Sequence, residues 1–141
     1  MKRDTALAPL DVFASPALAI TEDPQLEAMA LAAAKPQLAL YVGGMGARGK
    51  NFYNDLISSY GFEAEAAHIQ DLYLDGRKQE AVAAVPDELV HAVSLIGSAS
   101  HVAERVAAFA AAGVTTLAVT PLARSSAERV ALMTGFRSLV G

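Results

Sequence analysis

The pattern of apolar and polar positions along the chain predicts two strands separated by a long helical stretch. Residues 10–20 are almost continuously apolar and lie between Pro9 and the polar turn at residues 21–24, which is typical of a buried strand. Pro16 weakens the interior of this strand, because proline has no N–H to donate to a sheet. Residues 114–120 are rich in β-branched side chains and form the clearest strand of the sequence.

The first helix is predicted to begin at Asp23-Pro24. An aspartate can accept a hydrogen bond from the first helical N–H groups, and the fixed φ of proline suits the first turn. This helix is expected to end at Pro36, where proline resets the backbone. Residues 37–42 fit either a strand or a helix, and their leucine and alanine content favours a helix that stops at Gly43-Gly44.

The middle of the chain is predicted to be helical. The expected segments are residues 51–60, 63–74, 77–84 and one that begins at Pro86-Asp87. Residues 94–97 are predicted to be a short apolar link.

A helix, a strand and a second helix are predicted to close the chain. Ser100 is expected to cap the helix that ends at Gly113, before the strand at residues 114–120. The sequence Ser125-Ser-Ala-Glu128 matches a capping box and predicts a final helix to about Val140.

The elements together predict a helix-rich α/β fold in a single domain of residues 1–141. Residues 10–22 form a strand region, residues 23–97 a helical insertion, and residues 98–141 a final helix-strand-helix unit.

Composition and charge argue against several classes of function for this chain. The formal net charge is −4 without a long basic run, which argues against nucleic acid as a partner. The chain has no cysteine, which excludes a disulfide framework, a thiolate metal site and a cysteine nucleophile. No apolar run reaches the roughly 18 residues of a membrane span, so neither a membrane anchor nor a signal peptide is predicted and the cytoplasm is the expected compartment.

A glycine-rich loop at residues 42–50, VGGMGARGK, is the strongest local candidate for chemistry. It fits the pattern G-x-x-x-x-G-K, but Asn51 stands where a nucleotide-triphosphate loop needs a serine or threonine hydroxyl for magnesium. Two interpretations stay open: backbone N–H groups with Arg48 and Lys50 hold an anionic group, or the glycines end a helix and begin a solvated turn.

Several blocks in a fixed order resemble a known family. They are VGGMGARGKNFYN (42–54), IQDLYL (69–74), AVPDEL (84–89), VSLIG (93–97), VAERVAAF (102–109) and AGVTTL (112–117). This order closely resembles the C-terminal part of luciferase-like monooxygenases, in particular the actinobacterial oxidoreductases that use the deazaflavin coenzyme F-420. The resemblance covers most of residues 10–140.

The resemblance implies an (α/β)8 barrel (TIM barrel) that binds flavin or deazaflavin at the C-terminal ends of its strands and transfers hydride or activates oxygen through it, as an oxidoreductase or monooxygenase. Residues 11–20 and 114–120 would be its last two strands, so that the chain looks like the final quarter to third of such an enzyme, an incomplete barrel. The implied cofactor is coenzyme F-420, with FMN as the alternative, acting on a small-molecule substrate that the sequence does not identify.

Six residues are predicted to contact the cofactor, and no catalytic residue is assigned. They are Gly43, Gly44, Gly46, Arg48 and Lys50 of the loop and Thr120, at the end of the best strand. Arg124 lies just beyond that strand and is not one of the six. His68, His91 and His101 lack a metal-ligand spacing and predict no metal.

A second hypothesis is a non-catalytic barrel fragment that acts as an association module. Two parallel strands cannot close a barrel, and their exposed edges favour association. The partner is therefore expected to be another copy of the chain, in a homo-oligomer, or a different chain that completes the barrel.

Overall fold

The computed structural model describes residues 9–141, and its strands are short and all parallel. They are β1 (Phe13–Ala14), β2 (Ala17–Ile20), β3 (Leu95–Gly97), β4 (Thr116–Leu117) and β5 (Thr120–Pro121). β1 pairs with β4, and β2 lies between β3 and β5. Within this part of the chain, β3 and β5 are therefore the edges of the three-stranded sheet.

β1–β2 and β4–β5 are two halves of one parallel pairing that Pro16 interrupts. Phe13 pairs with Thr116 and Ala17 with Thr120, which is the same register on both sides of the break. The carbonyl of Pro16 still accepts a hydrogen bond from the N–H of Thr120 at 2.9 Å. Proline has no N–H to return, so the ladder loses one bond there. The two strands predicted from the pattern are confirmed, each in two short pieces.

The predicted apolar link at residues 94–97 is wrong in part, because Leu95–Gly97 forms β3. Leu18 pairs with Leu95 and Ile20 with Gly97, and all three residues of β3 are buried. A run of three apolar residues is too short to show the two-residue period of a strand. Leu95–Gly97 is a strand because it pairs with β2. The stretch of residues 23–97 thus ends in a strand and is not a purely helical insertion.

Seven α-helices occupy most of the described chain. They are α1 (Pro24–Ala39), α2 (Phe52–Ile57), α3 (Glu63–Leu74), α4 (Lys78–Ala83), α5 (Asp87–Val93), α6 (Ala99–Ala111) and α7 (Ser126–Val140). Two short π-helical segments, Leu40–Gly44 and Ser58–Phe62, extend α1 and α2. The predictions for α3 and α4 are confirmed to within one residue.

The prediction that Pro36 ends the first helix is wrong. α1 continues through Pro36 and into the π-helical segment that ends at Gly44. Proline removes one helical hydrogen bond, and burial of Ala39 and Val42 on the following turns offsets that loss. The start of α1 is as predicted, because the Asp23 side chain accepts a hydrogen bond from the N–H of Gln25.

The two C-terminal helices have serine caps, one of them at an unexpected position. Ser98, not Ser100, caps α6 by accepting a hydrogen bond from the N–H of His101. Ser125 caps α7 as predicted, by accepting from the N–H of Glu128. The Glu128 carboxylate accepts from the N–H of Arg124, one residue before the position that a capping box uses.

Helices cover both faces of the sheet. Ala17 and Ala19 of β2 point into a core with α1 and α3–α5, whereas Leu18 and Ile20 point into a second core with α6 and α7. This alternation is the two-residue period of a strand whose two faces are both buried. The larger core surrounds Ile69 and Leu89, which are completely buried.

Hydrogen bonds from two threonines bind the N-terminal strand region to the C-terminal one. The hydroxyls of Thr115 and Thr116 both donate to the carboxylate of Asp11. These bonds favour the charged carboxylate and lower the pKa of Asp11 below its ordinary value of 3.8. None of the helices in residues 9–141 combines the length and the hydropathy that crossing a bilayer requires.

Candidate functional site

A groove of about 630 Å³ lies at the C-terminal ends of β2 and β5, and we call it the strand-end groove. α1 forms one wall and the start of α7 the other. Its lining residues are Ala19, Ile20, Thr21, Leu26, Met29, Ala30, Ala33, Leu122, Ala123, Arg124, Glu128 and Leu132. Open parallel sheets and barrels bind ligands at this end of their strands.

The walls of the strand-end groove are mostly apolar. Leu26 is 53% exposed and Met29 49% exposed, although both lie on the same helix as buried core residues. Large apolar side chains that share an exposed groove are typical of a surface that binds a partner or ligand. The groove therefore suits an apolar or aromatic group.

Arg124 provides the positive charge of the strand-end groove. In residues 9–141 no carboxylate lies within 4.0 Å of its guanidinium. Glu128 lines the same groove, and its carboxylate accepts a hydrogen bond from the backbone N–H of Arg124 at 2.8 Å. An anion could thus bind the Arg124 guanidinium. The negative charge of Glu128 would favour binding on the side of the guanidinium that faces away from Glu128.

The glycine loop packs tightly against the rest of the chain. A Cβ at Gly43 would lie 2.6 Å from Tyr73 Cβ, and one at Gly44 2.5 Å from Tyr73 Cε1. A Cβ at Gly46 would lie 2.4 Å from the carbonyl oxygen of Lys50. These distances are too short for any side chain. Gly43 and Gly44 therefore allow the loop to approach α3, and Gly46 allows the loop to fold closely on itself.

The two cations of the loop have different surroundings. The Arg48 guanidinium donates to the Asp71 carboxylate at 2.7 Å, and Asp75 lies 3.7 Å away. The hydrogen bond to Asp71 raises the pKa of Arg48 further above its ordinary value. Lys50 is exposed, and no carboxylate of the described chain lies within 4.0 Å of its ammonium group. Contact of these residues with a cofactor stays a prediction.

Asn51 is the residue that sequence reasoning missed. It is 1% exposed, and its amide nitrogen donates to the carbonyls of Tyr41 at 3.0 Å and Val42 at 2.9 Å. Its amide oxygen accepts from the N–H of Tyr53 at 3.1 Å and so caps α2. Asn54 adds a second amide that donates to the carbonyls of Val42 and Ala66. The signal in the sequence was an asparagine immediately before a helical segment.

The structure brings five of the six predicted cofactor contacts together and leaves the sixth apart. The loop residues Gly43 to Lys50 follow the C-terminal end of α1. Thr120 lies in β5 opposite Ala17, and it is exposed outside the strand-end groove. Leu26 in that groove and Gly43 are about 25 Å apart along the helix axis, at about 1.5 Å per residue. Arg124, just after the predicted Thr120, is the residue that lines the groove.

Two of the three histidines contact each other close to the sheet. The rings of His91 and His101 are 5.3 Å apart, and His91 Nε2 lies 3.4 Å from the Glu27 carboxylate. In the described part of the chain, no group of three or more histidines and carboxylates has an arrangement that could hold a metal ion.

The comparisons with known proteins relate this chain to one family. The sequence profile of the luciferase-like monooxygenase family matches residues 2–116. A protein of Mycobacterium tuberculosis that is named as a coenzyme F420-dependent oxidoreductase is 40% identical over 120 residues, which is 85% of this chain and 33% of that protein. This chain therefore spans about a third of the length of that relative.

No solved structure matches the chain significantly. The family match covers more than half of the sequence, including β1, β2, β3, the glycine loop and the helices that pack on it. The chain belongs to the luciferase-like monooxygenase family, and its fold is a helix-rich α/β arrangement of parallel strands.

Proposed function

We propose that the chain is part of an oxidoreductase that transfers hydride between coenzyme F-420 and an organic substrate. The strand-end groove carries this proposal, since it lies where barrel enzymes bind cofactors and combines apolar walls with one arginine. The name of the mycobacterial relative supports the deazaflavin, and FMN is the alternative. The parallel strands β3, β1–β2 and β4–β5 would then be part of a barrel.

The residues of the groove fit such a cofactor. Leu26, Met29 and Leu132 offer apolar surface to a flat ring system, and Arg124 offers a guanidinium to a phosphate or an acidic tail. The bound cofactor would supply the carbon that donates or accepts hydride. The chain would position that ring, exclude water from one of its faces and neutralise part of the negative charge.

The first test is a thermal melt of the 141-residue chain with and without saturating coenzyme F-420. A ligand that binds only the folded state stabilises it by about 2.7 kcal/mol at a concentration 100 times its Kd, which raises the midpoint by several degrees. We expect this increase for the wild type and a much smaller one for Arg124→Gln. FMN at the same concentration distinguishes the two cofactors.

Arg129→Gln is the matched control, because Arg129 is an exposed arginine on α7 that does not line the groove. It should melt like the wild type with and without the cofactor. Lys50→Gln tests the prediction for the glycine loop separately. A cooperative melt that neither cofactor shifts would contradict the proposal, and so would an equal shift in Arg124→Gln.

We also propose that further strands extend the sheet at the outer edge of β4–β5. The outer edge of β4 has no strand partner within residues 9–141. β5 offers no outward N–H, because the Thr120 N–H bonds to the carbonyl of Pro16 and residue 121 is proline. An open parallel edge favours pairing with more strands, and Pro121 limits this pairing to the β4 part of the edge. These strands would come from another copy of the chain or from a polypeptide that completes the barrel.

Sedimentation velocity over a wide range of protein concentration tests this extension. We expect the 141-residue chain to form dimers or larger oligomers as the concentration rises, and Leu117→Pro, which removes the outward N–H of β4 between the inward N–H groups of Thr116 and Ala118, to weaken the association. Phe52→Ser is the control, because Phe52 is 70% exposed at the start of α2, outside the sheet. A chain that stays monomeric, or equal weakening by both variants, would contradict association through this edge.

A further inference from the structure

His91 covers the open side of β3. The N–H of Thr21 bonds to the Gly97 carbonyl at 3.0 Å, so the preceding carbonyl, of Ile96, points away from β2. Ile96 is completely buried, and no strand of the described chain lies on this side of β3. The ring of His91, on α5, takes the place of such a strand, because its Nδ1 lies 3.2 Å from the Ile96 carbonyl oxygen. A buried carbonyl needs a donor, so this nitrogen suits a proton.

The other nitrogen of the same ring faces a carboxylate. His91 Nε2 lies 3.4 Å from Glu27, in the first turn of α1, and the two side chains are 29% and 32% exposed. A neutral imidazole has one N–H, so it can donate to only one of these two acceptors and turns a bare lone pair towards the other. The doubly protonated ring donates to both Ile96 and Glu27. The geometry around His91 therefore suits the charged ring.

A second histidine packs beside this ring but gains nothing from a second proton. His101, at the start of α6, contacts His91 edge to face, and the ring centroids are 5.3 Å apart. The Nε2 of His101 is buried and has no hydrogen bond partner among residues 9–141. A charge on that ring would remain unpaired, which the interior of a protein disfavours. Of the two histidines, only His91 gains a bond when it becomes charged.

Other charged groups lie on the helices around His91. Arg105 of α6 donates to the Ala92 carbonyl at 2.6 Å, and its positive charge acts against a charged His91. The remaining charged side chains of α1, α5 and α6, and of the turn before α1, are Glu22, Asp23, Lys35, Asp87, Glu88 and Glu104. Among the carboxylates of the described chain, only that of Glu27 lies within 4.0 Å of a His91 ring nitrogen. Glu27 is therefore the anion that a charged His91 meets.

We propose that His91 is a proton-operated latch between α1 and β3. The charged ring bonds Glu27 in the first turn of α1 and Ile96 at the edge of β3 at the same time. The neutral ring keeps its bond to the completely buried Ile96 carbonyl and releases Glu27. Histidine changes its charge between about pH 5 and 8, so the latch responds in this range. Leu26, in the same turn as Glu27, lines the strand-end groove, and the latch thus fixes one wall of that groove.

NMR spectra that correlate the ring protons of histidine with the ring nitrogens test where the protons lie. We expect His91 to carry its single proton on Nδ1 at about pH 8 and a proton on each nitrogen at about pH 5.5. His68 is the internal control, because it is exposed and no hydrogen bond within residues 9–141 selects one of its nitrogens. A neutral His91 with its proton on Nε2, or a ring that stays neutral at pH 5.5, would overturn the proposal.

Glu27→Gln tests whether the latch stabilises the fold. The glutamine amide donates to the bare Nε2 of the neutral ring, and its carbonyl accepts from the charged ring, so both states are satisfied. The wild type has a matching partner only for the charged ring. From pH 8 to pH 5.5 we expect the wild type to gain about two- to fivefold in its folding equilibrium constant relative to Glu27→Gln. Urea unfolding of both proteins at the two pH values measures this ratio. A ratio that does not change with pH would contradict the latch.

Glu63→Gln is the matched control, because Glu63 is an exposed glutamate in the first turn of α3 and no cation of the described chain lies within 4.0 Å of it. Its effect should be the same at both pH values. His91→Asn keeps a donor near the position of Nδ1 and removes the second nitrogen, so Glu27→Gln should have no pH-dependent effect in this background. A surviving pH dependence would assign it to another group and overturn the role of His91. If His91→Asn does not fold, the NMR spectra and the Glu27→Gln ratio still decide the question.

Discussion

Asn51→Asp is expected to lower the free energy of unfolding by about 3 kcal/mol, as much as Asn51→Ala. The carboxylate keeps the acceptor that caps α2 but loses both donors to the carbonyls of Tyr41 and Val42. Asn54 still donates to the Val42 carbonyl, so the Tyr41 carbonyl is the one that loses its side-chain donor, at a cost of about 1–3 kcal/mol. The new carboxylate is also buried beside carbonyl oxygens to which it cannot donate, which adds to the cost. The thermal midpoint should fall by roughly 10 °C, as measured by circular dichroism or calorimetry.

Asp23 provides the matched control for this experiment, because it caps α1 and its side chain bonds only to the N–H of Gln25. Asparagine and aspartate are equally good helix caps, so Asp23→Asn should be nearly neutral. Asp23→Ala should cost only about 1 kcal/mol. If Asn51→Asp is as stable as the wild type, Asn51 is merely a cap and does not clamp the end of the first helix.

The second large effect is expected at Gly44, where Gly44→Ala should destabilise the chain by about 2 kcal/mol. The new Cβ would lie 2.5 Å from Tyr73 Cε1, and either the ring or the π-helical segment must move. In a Tyr73→Ala background the ring is absent, and the same substitution should cost less than about 0.5 kcal/mol or even stabilise, since alanine favours a helical backbone. Urea unfolding of the four proteins measures the difference.

Gly49→Ala is the control for this cycle. Gly49 has a φ of 69°, and a Cβ there would meet nothing within 4 Å, so its cost comes from the backbone and should be the same with and without Tyr73. An equal cost of Gly44→Ala in both backgrounds would show that contact with Tyr73 does not explain this glycine. Strong destabilisation without any ligand would in turn mean that Gly44 is needed for packing, whatever the loop binds.

The helices were the part of the fold most readily predicted from the sequence. α3 and α7 have local signals, helical spacing in one and a serine cap in the other, that work without the rest of the chain. β3 and the passage of α1 through Pro36 could not be predicted in this way. Both depend on burial against elements distant in sequence, which overrides the local preference of the backbone.

The candidate site was predicted only in part, for the same reason. Glycine and arginine in one loop indicate anion binding, but the structure shows Tyr73 packed on the glycines and Asp71 bonded to Arg48. Neither contact has a signal in the loop itself. Arg124 was noted only as lying beyond a strand, and its position in a groove follows from how α1 and α7 pack at the ends of β2 and β5.

The pairing of β1–β2 with β4–β5 has a consequence for how the protein forms. The bond between Val12 and Thr115 joins residues that are 103 positions apart. During synthesis the N-terminal strands leave the ribosome long before their partners exist, while the helices of the middle segment can already fold from local contacts. We expect closure of this long loop to be slow, and until it occurs the exposed apolar side chain of Phe13 and its neighbours would be open to aggregation.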